Sequence, residues 1–401
     1  MKRYFLVPGC LLIIALGLAA CGSSQPATAE PPATAVAIVE ATATSPAPAE
    51  PTIAATATVS ESTSAGATPG QFDRRAMIAN IVETLIVPQT DQFQTEAAKL
   101  QTLVEQFASQ PTPETLTAAQ DQWRVAAELW AKLEPLNLPL TMMIAPQIKQ
   151  WPVKTDDIEE FIAQTEPINS LLEPVGSPAK GLGAIEYLLF SQTAEKSEII
   201  DSLTKTPRRM EYLVALAQNL ALMGNEMVLL WSPEGSNQAQ TLIDADLDNA
   251  VVSGALSRVC NEIIAVVENT IKMKLDYPLH GELADPQPNA VESPYAGDST
   301  PLIIATLRGV QQIFHAGLGD YLDYLAISPP EVPLSKAIDA QIEESIGALE
   351  AIDLPLEKAV LEDAESVRAA RDTLKELLVL VKVDMANQLG IIVTFTDSDG
   401  D

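Results

Sequence analysis

Lys180-Gly-Leu-Gly-Ala-Ile-Glu-Tyr-Leu-Leu-Phe190 sets one acidic residue inside an apolar helical pattern. Wound as a helix, Leu182, Gly183, Glu186, Leu189 and Phe190 fall on one face by 3/4 spacing, which places a carboxylate in a hydrophobic stripe. An ionised carboxylate buried there is costly unless something compensates it, so an arginine, a metal ion or a cluster of hydrogen-bond donors must face Glu186. Gly181 and Gly183 carry no side chain and let a facing helix or a ligand approach the backbone one turn ahead of the carboxylate. Downstream, Thr206-Pro207 marks a fresh helix start, and Arg208 and Arg209 just after it are the candidate ion-pair partners of Glu186.

The same 3/4 periodicity runs through most of the chain. Met77, Ile78, Ile81, Leu85 and Ile86 open the folded part, and further helical segments are expected over about 90–110, 113–134, 196–231, 238–274, 301–325, 334–351 and 356–387. Pro113 after Thr112 sits at a first helical position and Pro135 stops that helix, with Trp123, Ala126, Ala127 and Trp130 on one face. Residues 135–180 are broken by seven prolines and are expected as short helices and loops that position Glu186. Ile391-Ile-Val-Thr394 has β-branched residues but no partner strand, so a packed extended end is expected.

With 401 residues, 47% of them hydrophobic, the chain can bury one large core or two modest ones. Residues 1–20 combine Lys2 and Arg3, an apolar run and small residues before Cys21, which is the pattern of a lipoprotein signal. Cys21 is then the lipidated residue that anchors the mature protein to a membrane, outside the cytoplasm, in the cell envelope. No other segment reads as long and apolar enough to span. Residues 21–70 are an Ala/Thr/Pro-rich linker with no means of building a core, and the helical domain occupies 71–401. Removing Lys2 and Arg3 with the signal leaves a formal charge of −32, which argues against nucleic acid as a partner and attracts cations. Cys260, amid Val252, Leu256, Ile263 and Ile264, reads as a small buried apolar residue.

Standard hydrolase chemistry finds little footing. His280 and His315 are the only histidines, so no His-Glu-x-x-His site exists, and no Gly-x-Ser-x-Gly elbow occurs. Asp244-Ala-Asp-Leu-Asp248 imitates the start of a calcium loop, but Asn249 and Ala255 stand at its glycine and terminal glutamate positions. Asp397, Asp399 and Asp401 read as a solvated acidic end.

Gly181, Glu186, Tyr187, Leu188 and Leu189 resemble the imelysin-like motif Gly-x-His-x-x-Glu followed by an aromatic residue and two leucines, with Gly183 at the histidine position. Trp123 with Trp130, Gln150-Trp151-Pro152, Arg208-Arg209 with Tyr212-Leu213, Val291-Glu292-Ser293-Pro294-Tyr295 with Gly297 and Ser299, and the ending from Phe395 are similar to that family in the same order. The resemblance implies an all-α fold of two helical-bundle halves, about 71–235 and 236–401, with a site between them lined by Glu186. It further implies a binding protein in metal or iron uptake, whose ligand is a divalent metal (iron, zinc or calcium) and whose partners are a cation or an uptake-system protein. A peptidase of the imelysin type and a structural or interaction lipoprotein without metal are the alternatives. A second carboxylate opposite Glu186 favours metal, and an arginine within reach favours the structural reading.

Overall fold

A computed structural model describes residues 71–394, apart from 166, 170–171, 250, 281–284 and 327–331. Cys21, the signal and linker of 1–70, and the acidic end from Phe395 lie outside the described residues. Every regular element among the described residues is helical, so the fold is all-α.

The first helical segments are continuous. Arg74–Ile81 runs through a π turn, Val82–Ile86, into Val87–Ser109. Pro88 has no N–H to continue the i→i−4 ladder, and the widened turn just before it keeps the helix going where a break is otherwise expected. Thr112 caps Pro113–Leu133 reciprocally with Thr115, and the expected face of Trp123, Ala126, Ala127 and Trp130 is buried. The expected long helix over 238–274 is interrupted. Gln238–Ile243 ends at an Asx turn, in which the Asp246 carboxylate accepts from the Asp248 N–H at 2.8 Å, and Ala255–Asn269 starts afresh. The Asp/Asn-rich stretch that imitates a calcium loop therefore serves as a local turn.

Buried apolar side chains form two clusters. One is built by Val87–Ser109, Pro113–Leu133, Gly181–Leu189 and Pro207–Trp231, and it includes Phe93, Trp123, Trp130 and Tyr212. The other gathers Ala255–Asn269, Ser299–Ile313, Leu334–Glu350 and Ala364–Val379. The chain does not divide cleanly between them near residue 235. Met77, Ile78, Ile81, Val82 and Ile86 join the second cluster, where Phe72 packs on Tyr321 with ring centroids 4.9 Å apart. Conversely, Leu302 and Ala305 of Ser299–Ile313 enter the first cluster, and that helix lies along Pro113–Leu133. Two exchanged elements thus bind the halves together.

By length and composition Pro207–Trp231 is apolar enough to cross a membrane, contrary to the expectation that no segment beyond the signal is. It packs along Val87–Ser109, and Tyr212, Leu213, Leu216 and Leu220 are completely enclosed in the first core. At the other end, Ile391 is buried, and Asn261 hydrogen-bonds the backbone of Ile392 and Thr394, so these residues form a packed extended end.

Candidate functional site between the helical halves

The helix Gly181–Leu189 begins where only glycine fits. Gly181 has φ +64°, and a Cβ there would lie 2.1 Å from the Ile148 carbonyl oxygen, so the helix starts pressed against the Ala145–Ile148 turn. Trp123 donates its indole N–H to the Leu182 carbonyl at 2.8 Å, fixing the helix on the first core. Gly183 faces Val153, whose Cγ2 is 2.4 Å from where a Cβ would stand. The position at which the resemblance sets a histidine is thus filled by a valine from the facing segment.

Glu186 is 2% exposed and points into the loop that precedes Ser299–Ile313. Its Oε1 accepts hydrogen bonds from Ser293 Oγ at 2.9 Å, from the Tyr295 N–H at 2.9 Å and from the Ala296 N–H at 3.0 Å. The loop is shaped for this. Ser299 Oγ accepts from the Ser293 N–H at 2.9 Å, the Gly297 N–H closes a turn onto the Ser293 carbonyl at 3.1 Å, and Gly297 adopts φ +74°. The residues of the 291–299 stretch therefore form an anion cradle contributed by the second half of the chain to a carboxylate of the first. Burial pushes the Glu186 carboxyl up to about 7, against the three donors and the charge of Lys149, which pull it down.

Arg208 and Arg209 do not reach Glu186. Arg209 makes a forked contact with both oxygens of Glu159, each at 2.6 Å, and Tyr187 donates to the same carboxylate at 2.7 Å. Arg208 lies over the Phe161 ring, 5.6 Å from its centroid. Both arginines are held by the Thr155–Ala163 helix. The expected ion pair is replaced by neutral donors from a loop more than a hundred residues further on.

Next to the cradle is a charge network that the amphipathic patterns do not announce. Lys149 Nζ contacts Glu292 Oε1 and stands 3.6 Å from Glu134, while Lys274 Nζ lies 2.7 Å from Glu134 and 2.9 Å from Glu292. Thr306 donates to Glu134 at 3.0 Å. Glu134 and Lys149 belong to the first half of the chain and Lys274, Glu292 and Thr306 to the second. Burial works to raise the Glu292 carboxyl, and the two ammonium charges overcome it and hold it at about 2. Burial likewise opposes the charge of Lys274, and Glu134 and Glu292 keep it above the ordinary lysine range. The signal for these residues was weak. Each is a single charge beside an apolar run, and only Glu292 lies in a stretch singled out by the resemblance.

The donor set does not fit a divalent metal at Glu186. Glu186 Oε1 is already saturated by three protein donors, Val153 fills the space beside Gly183, and Glu292, the carboxylate that lines the same void, is bound by two ammonium groups that repel a cation. The void between Glu186, Trp151, Val153 and Glu292 measures about 10 Å³, the space of one water. Among the described residues no three Asp, Glu, His or Cys side chains converge as a metal site. His280 bonds to Gln287 and His315 to Asp339, and neither is a partner of Glu186.

Known proteins agree with the architecture. Iron-regulated protein A of Synechococcus elongatus is 22% identical over 324 residues, covering 76% of this chain and 86% of that protein. A crystal structure of an imelysin-like protein from Psychrobacter arcticum superposes with a TM-score of 0.65 at 17% identity, over 80% of this chain and 96% of that one. A second crystal structure, assigned as an iron-regulated protein A precursor from Parabacteroides distasonis, gives a TM-score of 0.58 at 17% identity, over 77% and 94% of the two chains. The model of the imelysin peptidase family matches residues 86–381, well over half of the sequence, and the chain belongs to the imelysin family.

Proposed function

We propose that this protein is a lipid-anchored, extracytoplasmic binding protein of the cell envelope with an iron-related role, acting through a bound ligand or an uptake-system partner and not through peptide hydrolysis. The relatives named for iron regulation support the iron-related part, and the signal pattern ending at Cys21 supports the anchor. One observation carries the rest: the Glu186 oxygen is closed by Ser293, Tyr295 and Ala296. An oxygen engaged in this way offers no open coordination position, and its three bonds join the halves of the molecule. Glu186 is accordingly a clamp. Iron, on this reading, is cargo handled by the system the protein serves and not a ligand of Glu186.

Calorimetric titration of the full chain with Fe²⁺ and Zn²⁺ tests this. Binding should be weak or absent, and any residual heat should be the same in Glu186→Gln. Tight binding that Glu186→Gln abolishes would restore the metal centre and overturn the clamp.

A further inference from the structure

A cleft of about 330 Å³ opens beside the ion network. Trp130, Pro139 and Met142 contribute apolar wall, Glu134, Lys149 and Glu262 contribute charge, and Met142 stands at the lip, 68% exposed. The charges around it do not balance. Lys149 and Lys274 are both committed to Glu134 and Glu292, and those two pairs cancel. Glu262, on the Ala255–Asn269 helix, has no hydrogen-bond or ion-pair partner among the described residues, and the charge it faces most closely is the like charge of Glu134. One carboxylate on the cleft wall is thus without a counter-charge.

We propose that this cleft binds a side-chain-sized organic monocation, an alkylammonium or alkylguanidinium, whose charge pairs with Glu262 while its hydrocarbon lies against Trp130, Pro139 and Met142. A hard divalent ion would need several free oxygens, and Glu134 has spent both of its own on Lys149, Lys274 and Thr306. A monocation needs a single free carboxylate and gains from aromatic and thioether walls. The volume lies within the usual range of small-ligand pockets, and the net charge of −30 concentrates cations at the surface. Burial, with the Glu134 charge, pushes the Glu262 carboxyl up to about 8, so near neutrality the empty cleft keeps a proton there that the ligand displaces.

This inference deepens the binding role proposed above and rests on it, yet the two fail separately, because the clamp is read by metal titration and the cleft by organic cations. The probes are n-butylguanidinium and a blocked peptide with a single arginine, titrated calorimetrically into the full chain between about pH 6 and pH 9. Affinity should rise about tenfold per pH unit up to the Glu262 transition and level off above it, with proton release on binding at neutral pH. Glu262→Gln, checked for an unchanged melt, should lose that pH dependence and bind at least about tenfold more weakly at pH 8. Preference for the peptide supports a partner's side chain as the source, and preference for butylguanidinium supports a free amine or guanidine. Absence of binding by both probes overturns the proposal, as does pH-independent binding that Glu262→Gln leaves intact.

Discussion

Replacing Glu186 by glutamine should change the stability of the protein by an amount that depends on pH, and the sign follows from the cradle. Burial lifts the Glu186 carboxyl from its ordinary 4.5 to about 7, so the folded state holds this proton more tightly than the unfolded chain does. The stabilisation from that proton is full below the unfolded value, declines as pH rises, and is gone above about 7. Across that interval, at about 1.4 kcal/mol per unit, wild type loses roughly 3 kcal/mol that the glutamine variant, which does not titrate, keeps. Glutamine still offers one oxygen to Ser293, Tyr295 and Ala296, so the shape of the cradle survives. Urea unfolding of both proteins at several pH values from about 4.5 to 8 measures the difference. Glu262 titrates in the same direction in both proteins and cancels. Glutamine should therefore gain on wild type by about 3 kcal/mol over the series. A pH-independent difference, or wild type gaining on glutamine as pH rises, would mean that the three donors hold the carboxylate ionised throughout, and the account of its charge would be wrong.

Two further outcomes follow from the same geometry. Gly183→His should destabilise the domain by about 1–3 kcal/mol, because even its Cβ meets Val153 Cγ2, and it should bring no gain in Zn²⁺ affinity; thermal melts and titration of the variant check both. Cys21→Ser should abolish incorporation of a clickable fatty acid and release the protein from the membrane fraction or leave it unprocessed, and label retained on that variant would refute the anchor.

Much of this architecture was legible in residue spacing, and the failures have physical causes. Periodicity and proline placement located Pro113–Leu133 and Pro207–Trp231, because buried faces and N-terminal prolines are local properties. The join at Pro88 and the break at Asp246 were not legible, since a π turn and an Asx turn depend on local backbone geometry and not on apolar spacing. Glu186 stood out because a carboxylate at 3/4 spacing among leucines must be compensated. Its partners did not stand out, because two of the three are backbone N–H groups, which every residue but proline carries, on a loop distant in sequence. Arg208 and Arg209 are candidate partners because a buried carboxylate calls for a cation, but Glu159 and Phe161 already hold them. The missing side chain at Gly183 points to a close approach by a facing element or a ligand, and Val153 makes that approach. The Lys149, Lys274, Glu134 and Glu292 network draws on four separate stretches of chain, and only the fold brings them together.

Whether Glu186 ties the two halves through Ser293 is decided by a double-mutant cycle of Glu186→Ala and Ser293→Ala, measured by denaturant unfolding at about pH 8, where the carboxylate is ionised. A charge-assisted hydrogen bond between them predicts a coupling of about 1.5–3 kcal/mol. Additivity of the two substitutions to within about 0.5 kcal/mol would contradict the clamp.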